Sequence, residues 1–480
     1  MNLPEQFIVQ AESLLGKDEA SRLLQALATE QPTSIRLNSK RLSADGWRKV
    51  AEEGKQIPWT TDGYYLSQRP AFTFDPLLHA GCYYVQEASS MFVEQAMRRY
   101  ASDAPLLMLD LCAAPGGKST LLRSLLPEGS LLVANEVIRN RSQVLAENLT
   151  KWGDPDVIVT NNDPSDFTAL ENCFDAILTD VPCSGEGMFR KDPVAVSEWS
   201  SENVEICYQR QRRILTDVWP ALKAGGLLIY STCTYNTKEN EENVRWICRE
   251  LGADVLPLDV PEEWKVTGNL LPDETFPVYR FLPHRTTGEG FFMAVMRKRS
   301  SAESDVNPSS QPLRKNKKEQ QKKKPQIVPT KEQLTTIRQW VKADDEYVWQ
   351  QGDGVLSLFP RRYESLLTLF RNTLRIVQAG VQVAELKGKE WQPVHALAMS
   401  TLLRQGAFPT EEVSYEQAIA YLRKEAITLP TEAPRGILLL TYRQQPIGFV
   451  KNIGNRANNL YPQEWRIRTT HLSEPVEVLV

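Results

Sequence analysis

The sequence predicts an α/β protein: a doubly wound, nucleotide-binding type of sheet at the centre, with smaller α+β parts before and after it. Three observations carry this. The apolar run Leu106–Leu111 (LLMLDL) has no polar alternation, as expected of a parallel strand buried on both faces. CAAPGGKST (112–120) follows it, and LLRSLL (121–126) then resumes with helical spacing. Further along, strand-like segments end in an acid or a cysteine, the position where such sheets hold ligands. In the strand–loop–helix unit, Gly116 and Gly117 let the backbone come close to a ligand, and the helix start offers unpaired N–H groups.

Residues 1–84 form a prelude. Pro4–Leu15 and Glu19–Thr29 carry helical apolar spacing (Phe7, Ala11, Leu14, then Leu23, Leu24, Leu27), and PTSIRLNSKR (32–41) reads as a strand bearing Arg36 and Lys40. WTTDGYYL (59–66) adds aromatic residues, for which base stacking and core packing both stay open. YYVQEASSMFVEQAM (83–97), whose small residues suit tight packing, leads into a core placed at 85–299. There SLLVANE (130–136) is a second strand, and its terminal Glu136 is placed to accept hydrogen bonds from a ribose diol. A solvated carboxylate beside a helix start is the plainer alternative. DVIVTNNDPSDF (156–167) is a third strand, leading to Asp163, which is placed to bind an adenine amino group. FDAILTDVPCSGEG (174–187) is a fourth, with Asp180, Pro182 and Cys183 at its carboxyl end. GGLLIYSTCTYNTKENEENV (225–244) is a fifth, ending at Thr232 and Cys233, and EGFFMAVMRK (289–298) is a last, edge-forming strand. Asp180, Cys183 and Cys233 are therefore expected in one cleft.

Residues 300–330 read as a linker: Ser, Pro, Gln and Lys replace apolar residues, and LRKNKKEQQKKKPQ (313–326) is strongly basic. A solvated chain and a phosphate-contacting chain are both open for it. A first C-terminal domain is placed at 331–425, with a helix at Glu332–Val341 and a hairpin over Tyr347–Pro360 turning at GDG. TLRIVQAGVQVAEL and WQPVHALAMS follow as strand and helix, and Glu411–Glu425 has a helical period. A second domain, 426–480, contains two strands joined by a QQ turn and the loop NIGNRANNLYP.

CAAPGGKS (112–119), DVPCSGEG (180–187) with RKDP (190–193), and STCT (231–234) resemble the Nop2/Sun-type RNA cytosine-C5 methyltransferases, in family order over 85–297. Val181 is one departure, standing where the family commonly has Ala. The resemblance implies a Rossmann-like core that binds S-adenosylmethionine. Cys112, Ala113, Ala114, Pro115, Gly116, Gly117 and Lys118 would form the cofactor loop, joined by Glu136, Arg141, Asp163 and Asp180. It also implies that Cys233 is the nucleophile, that Cys183 assists product release, and that Asp180 and Lys191 serve the substrate. IRLN (35–38) is similar to the motif of the family's N-terminal RNA-binding domain. The C-terminal strands and loop resemble a PUA-like RNA-binding domain of bacterial small-subunit ribosomal RNA methyltransferases, with Lys451, Arg456, Arg466 and Arg468 offered to phosphates. The implied partner is ribosomal RNA or the small subunit, in its decoding region, with transfer RNA as the alternative.

The chemistry fits these residue types. Cytosine C5 is a poor nucleophile until a thiolate adds at C6, and cysteine both attacks and leaves well. The residues alone do not say which cysteine attacks. Cys173, Cys207 and Cys248, outside the motifs, read as packing thiols. A target base must be unpaired or flipped out, which calls for RNA-binding parts around the core.

At 480 residues the chain has room for about three domains, each with its own core. A net charge of −4 excludes indiscriminate coating of nucleic acid. Seven irregularly spaced cysteines and four scattered His predict free thiols in a reducing cytoplasm and no metal site. No signal-like or membrane-spanning stretch is visible, so a soluble cytoplasmic monomer is expected. Rival readings are a non-catalytic ribosome-assembly factor, an amino-group methyltransferase and a nicotinamide dehydrogenase. The first is disfavoured by the intact Asp180, Cys183 and Cys233, and the others have no need of paired cysteines.

Overall fold

A computed structural model describes residues 3–42, 50, 52, 54–300, 328–342 and 344–469. The basic run 313–326 lies outside the described residues. Two helices, Glu5–Leu15 and Lys17–Leu27, bury Phe7, Ala11, Leu23 and Leu27. They precede a four-stranded antiparallel sheet of β1 (Thr33–Leu37), β2 (Lys55–Gln56), β3 (Gly63–Leu66) and β4 (Tyr83–Val85), in the order β2-β3-β1-β4.

The central sheet begins with β5 (Leu107–Asp110), β6 (Leu131–Asn135), β7 (Val157–Thr160), β8 (Phe174–Asp180) and β9 (Leu222–Thr232), which run parallel. β10 (Ala253–Val255), β11 (Tyr279–Phe281) and β12 (Phe291–Lys298) complete one side, with β12 antiparallel to β9. Every residue of β5, β6 and β7 is buried, which explains runs without polar alternation. The chain moves outward from β5 through β6 and β7, then returns to its other side with β8 and β9. Strand order therefore reverses at β5, and a crevice opens beyond the carboxyl ends of β5 and β8.

The C-terminal region adds β13 (Tyr347–Gly352), β14 (Val355–Pro360), β15 (Ile376–Ala379), β16 (Val381–Lys387) and β17 (Glu390–Pro393). It ends with β18 (Thr410–Glu412), β19 (Gly436–Tyr442), β20 (Gln445–Asn452) and β21 (Ala457–Asn459). Several local expectations change here. TLRIVQAGVQVAEL is two strands in different sheets: β15 pairs with β7, so the central sheet runs β10-β12-β9-β8-β5-β6-β7-β15 with β11 on β12. WQPVHALAMS splits into β17 and the helix His395–Met399. Glu411–Glu412 belongs to β18, and the helix begins at Tyr415, where Ser414 and Gln417 form a capping box. The β19–β20 turn is Arg443–Gln444, both left-handed, not a QQ pair.

Packing runs across the sequence-based divisions. Leu367, Phe370 and Leu374 join the core of the central sheet, where the Phe370 and Phe174 rings stack 6.1 Å apart. Ala418, Tyr421 and Leu422 pack with Phe72, Phe74 and Leu77 of the N-terminal part. Among the described residues no helix is long and apolar enough to cross a membrane.

Candidate active site at the carboxyl ends of β8 and β9

β8 and β9 each run into a short loop bearing one cysteine. The strands stay in register to their last residues, and Val181 N–H continues the ladder to the Ser231 carbonyl at 3.1 Å. The loops then touch backbone to backbone. Gly187 N–H donates to the Cys233 carbonyl at 2.7 Å, and a Cβ on Gly187 would lie 2.6 Å from that oxygen, so only glycine permits the approach. The result is a Cys183 Sγ–Cys233 Sγ separation of 3.2 Å. The hydrogen bond with Cys233, followed by burial, pushes the Cys183 thiol well above its ordinary value. Cys183 is therefore held in its protonated form, and either sulfur of the pair can act as the donor.

Two buried acids hold these loops. Glu186 accepts from the Tyr235 and Asn236 N–H groups at 2.7 and 3.0 Å, so the first cysteine loop grips the second. Glu239 reciprocates, accepting from Ser184 N–H at 3.0 Å and from the Ser184 hydroxyl at 2.5 Å. Asn236 bridges the two acids with its amide, at 3.1 Å from Glu186 and 2.8 Å from Glu239. Burial and the neighbouring Glu186 push the Glu239 carboxyl up to about 7.

Beside the cysteines, Lys118 Nζ donates to Asp180 Oδ2 at 2.8 Å, and the Ser231 hydroxyl donates to Oδ1 at 2.7 Å. Burial works against the Lys118 charge, but Asp180 and Cys233 outweigh it and raise the ammonium above its ordinary value. A cation, an oriented carboxylate and two thiols thus meet at one place.

The loop Cys112–Lys118 forms the other wall. Gly116 is left-handed at φ 116° and precedes the helix Gly117–Leu125. Ala113 N–H donates to the Asn135 carbonyl at 2.8 Å, Arg141 donates to the Ala114 carbonyl at 2.9 Å, and Asn148 donates to the Pro115 carbonyl at 2.8 Å. Glu136 is buried at the tip of β6, with Oε1 accepting from Ile138 N–H at 2.9 Å and Oε2 3.5 Å from Arg141. Asp110, fully buried at the end of β5, accepts from the Ser119 hydroxyl at 2.6 Å, and burial pushes its carboxyl up to about 7. Its Oδ1 has no hydrogen-bond partner among the described residues. Asp163 caps the short turn Pro164–Phe167 and faces Arg213 at 3.4 Å.

Residues 101–297 match the family described as 16S rRNA methyltransferase RsmB/F, 3–88 the N-terminal domain of 16S rRNA methyltransferase RsmF, and 408–467 the methyltransferase RsmF PUA domain. The ribosomal RNA small subunit methyltransferase F of Erwinia tasmaniensis is 32% identical over 486 residues, covering 96% of each chain. The chain belongs to the RsmF family. The Cronobacter sakazakii protein of the same name is 31% identical over 489 residues, again with 96% coverage of each chain. Among solved structures, a methyltransferase homolog protein from Pyrococcus horikoshii superposes with a TM-score of 0.54 at 29% identity, over 62% of this chain and 95% of that one. NSun6 from the same organism, solved with SFG, shares the fold at TM-score 0.53 and 20% identity, over 62% of this chain and 99% of that one.

The cofactor of this methyltransferase family is S-adenosylmethionine, and the residues fit it. A left-handed glycine opens a helix N-terminus, a buried acid stands at the tip of the second strand, and the Asp110 oxygen is an acceptor without a partner. Cys112–Lys118 and Glu136 on one side, with Asp180 at the end of β8 on the other, would hold the cofactor beside the thiols.

Other sequence expectations land elsewhere. Lys191 is exposed and makes no side-chain hydrogen bond among the described residues, so it stands outside the bonded cluster. Arg36 of the 32–41 strand is 1% exposed, and Trp59 is buried, donating to the Ala88 carbonyl at 2.8 Å. Lys40 is paired with Asp154 at 2.6 Å and Lys451 with Glu390 at 3.0 Å, while Arg456, Arg466 and Arg468 are exposed. Burial raises the Cys173 thiol to about 12 and the Cys207 and Cys248 thiols to about 11, as suits packing cysteines. The sequence reading passed over Glu186, Asn236, Glu239 and Asp110. The available signal was an acid or amide three residues after each cysteine, and an acid closing an otherwise apolar strand.

Proposed function

We propose that the protein transfers a methyl group from S-adenosylmethionine to C5 of a cytosine in 16S ribosomal RNA. The observation that carries this reading is the 3.2 Å cysteine pair beside the Lys118–Asp180 ion pair. A thiol pair has no use in methylating an amine or a ribose hydroxyl, whereas cytosine C5 requires covalent activation.

Cys233 attacks as a thiolate, and Lys118, whose own charge it helps to stabilise, is the nearby cation that favours it. Its sulfur bonds to C6, and the C5=C6 electron pair becomes available at C5. Asp180, oriented by Lys118 and Ser231, accepts from the exocyclic amine, and Lys118 offsets the charge that develops on N3. The cofactor supplies the methyl group that C5 takes. A base then removes the C5 proton, the electron pair re-forms C5=C6, and Cys233 leaves. Cys183 serves this release, because its thiol touches the departing sulfur. Glu136, Arg141 and Asp163 would hold the nucleoside part of the cofactor, the glycine loop its methionine part, and Lys191 the RNA strand at the mouth.

The N-terminal and PUA-like parts would bind RNA around the core, the latter through Arg456, Arg466 and Arg468. The protein would act as a monomer in the cytoplasm, where the small-subunit RNA of its relatives' names is found. Bisulfite sequencing of ribosomal RNA from a strain lacking the gene tests the reading. One or more protected cytosines should disappear from 16S RNA. Loss in transfer RNA instead would replace the substrate, and no change in either would favour an assembly factor.

A further inference from the structure

Strand β1 turns its alternate residues inward. Ser34 donates to the Gln86 carbonyl at 2.6 Å, Arg36 Nε to the Gln86 side chain at 2.8 Å, and Asn38 to the Gly81 and Trp152 carbonyls at 2.8 and 3.0 Å. Ser34 and Arg36 share a face of β1 and Asn38 stands just beyond its end, and Arg36 and Asn38 fasten this part to Thr120, Gly117 and Trp152 of the catalytic part. Arg36 reaches farthest. Its Nη2 donates to Thr120 Oγ1 at 2.5 Å and lies 3.4 Å from the Gly117 carbonyl, while its guanidinium sits 4.4 Å from the centre of the Trp152 ring. Thr120 in turn donates to the Gly116 carbonyl at 2.8 Å. The contacts of Arg36 thus end on both glycines of the loop. Gln86 also lies under them, 3.6 Å from where a Gly117 Cβ would stand.

Among the described residues no carboxylate forms an ion pair with Arg36, and its Nη1 has no hydrogen-bond partner. Asp62 and Glu94 favour its charge only from a distance, and burying a cation without a direct acid partner costs several kcal/mol, so its placement calls for an explanation. A neutral residue would dock β1 as well; it would not join the Gln86 side chain, the Thr120 hydroxyl and the Gly117 carbonyl through one charged group. Burial brings the guanidinium down only to about 10, so it is charged at neutral pH and its hydrogen bonds are charge-assisted.

We propose that Arg36 is a positioning residue for S-adenosylmethionine binding: the N-terminal part, acting through Arg36, Gln86 and Thr120, holds the Gly116–Gly117 backbone in its binding conformation. This rests on the reading of 112–118 as the cofactor loop. It gives the N-terminal part a role in cofactor affinity, and by linkage any ligand that shifts β1 changes that affinity.

The test uses full-length R36M, R36K, T120V and N38A. Cofactor affinity is measured by calorimetry with S-adenosylmethionine, methylation is resolved into KM and kcat, and melting is followed in parallel. R36M should weaken cofactor binding by about tenfold or more, as loss of charge-assisted bonds implies. T120V should move the same way, and R36K should recover part of the loss. kcat at saturating cofactor should change by less than about threefold, since the loop positions and does not react. N38A cuts the same interface without touching the loop, so it should melt lower and bind cofactor like the wild type. Wild-type affinity in R36M, or equal weakening in N38A and R36M, would reduce Arg36 to a docking residue. If R36M does not fold, T120V and R36K decide the matter by the same criterion. A wild-type protein that binds no S-adenosylmethionine would bring down the loop assignment itself.

Discussion

Cys183 and Cys233 carry the same functional group 3.2 Å apart, and their surroundings divide the work. Cys183 is kept protonated by its partner and by burial, whereas Cys233 shares its neighbourhood with the Lys118 cation. Cys233→Ser should therefore lower methylation by about a thousandfold or more, as removal of a covalent nucleophile does, with S-adenosylmethionine binding unchanged. Cys183→Ala should let the adduct form and slow its breakdown, leaving a protein–RNA species that survives denaturing gels; an active variant with no such species would refute the division. Glu239 adds a pH signature. Its native carboxyl sits at about 7 against an ordinary 4.5, so between these values the folded chain holds more protons than the unfolded one. Its contribution makes stability fall as pH rises through that window. Asp110, also pushed to about 7, and Asp156, raised to about 6, act in the same sense, so Glu239→Gln should remove part, not all, of the decline in melting temperature. An unchanged slope in that variant would show that Glu239 is ionised throughout.

At the scale of elements, residues 376–379 close the exposed edge of the central sheet. β15 pairs antiparallel with β7, and the preceding helix, Glu364–Thr373, drives Leu367 and Phe370 into the core beneath it. Phe370→Ala should therefore destabilise the catalytic sheet, although it lies beyond the linker, by about 3–5 kcal/mol. Denaturant unfolding with a probe in the sheet would show it, and a loss confined to the C-terminal part would refute the shared core. This pairing also marks where sequence reading stops. β5 to β9 were legible because each is a short apolar run ending in a chemical group, and both faces of each are covered. Ile376–Ala379 is half-buried, four residues long, and paired with a strand more than 200 positions away, so no local pattern announces it. Arg443 and Gln444 were equally opaque, since neither is a usual left-handed turn residue and the register of β19 on β20 decides the turn. In the site, both cysteines, Asp180 and the loop were visible as motifs. The role of Arg36 was not legible, because its burial depends on Thr120 and Trp152, which are distant in the chain.

Over the whole molecule, the three parts meet along one seam that carries an excess of basic groups. His79 belongs to the N-terminal part, Lys151 to the helix Arg139–Trp152 of the catalytic part, and His395 and Lys424 to the C-terminal region. Burial first, and then Lys151, lower His79 from its ordinary 6.5 to about 3. Burial lowers His395 to about 3 as well, with Lys151, Arg41, His79 and Lys424 adding to the effect. Both rings are neutral in the folded chain and take up protons below pH 6.5 once released. Their contribution to stability is complete above 6.5 and is lost progressively as pH falls toward 3, opposite in sign to that of Glu239. Acid should therefore loosen the seam before it melts the central sheet. Hydrogen exchange at pH 5 against pH 7.5, taken relative to the intrinsic rate at each pH, should show lower protection at Pro76–His79 and Tyr415–Leu422, which share a core, while β5 and β8 stay protected. His79→Gln can still donate to the Thr73 carbonyl that Nε2 holds at 2.9 Å, and it removes one titrating ring. It should shift the onset of seam exchange to lower pH; exchange that sets in together at the seam and in the sheet, with or without His79, would show that the parts unfold as one unit and that the histidines do not govern their separation.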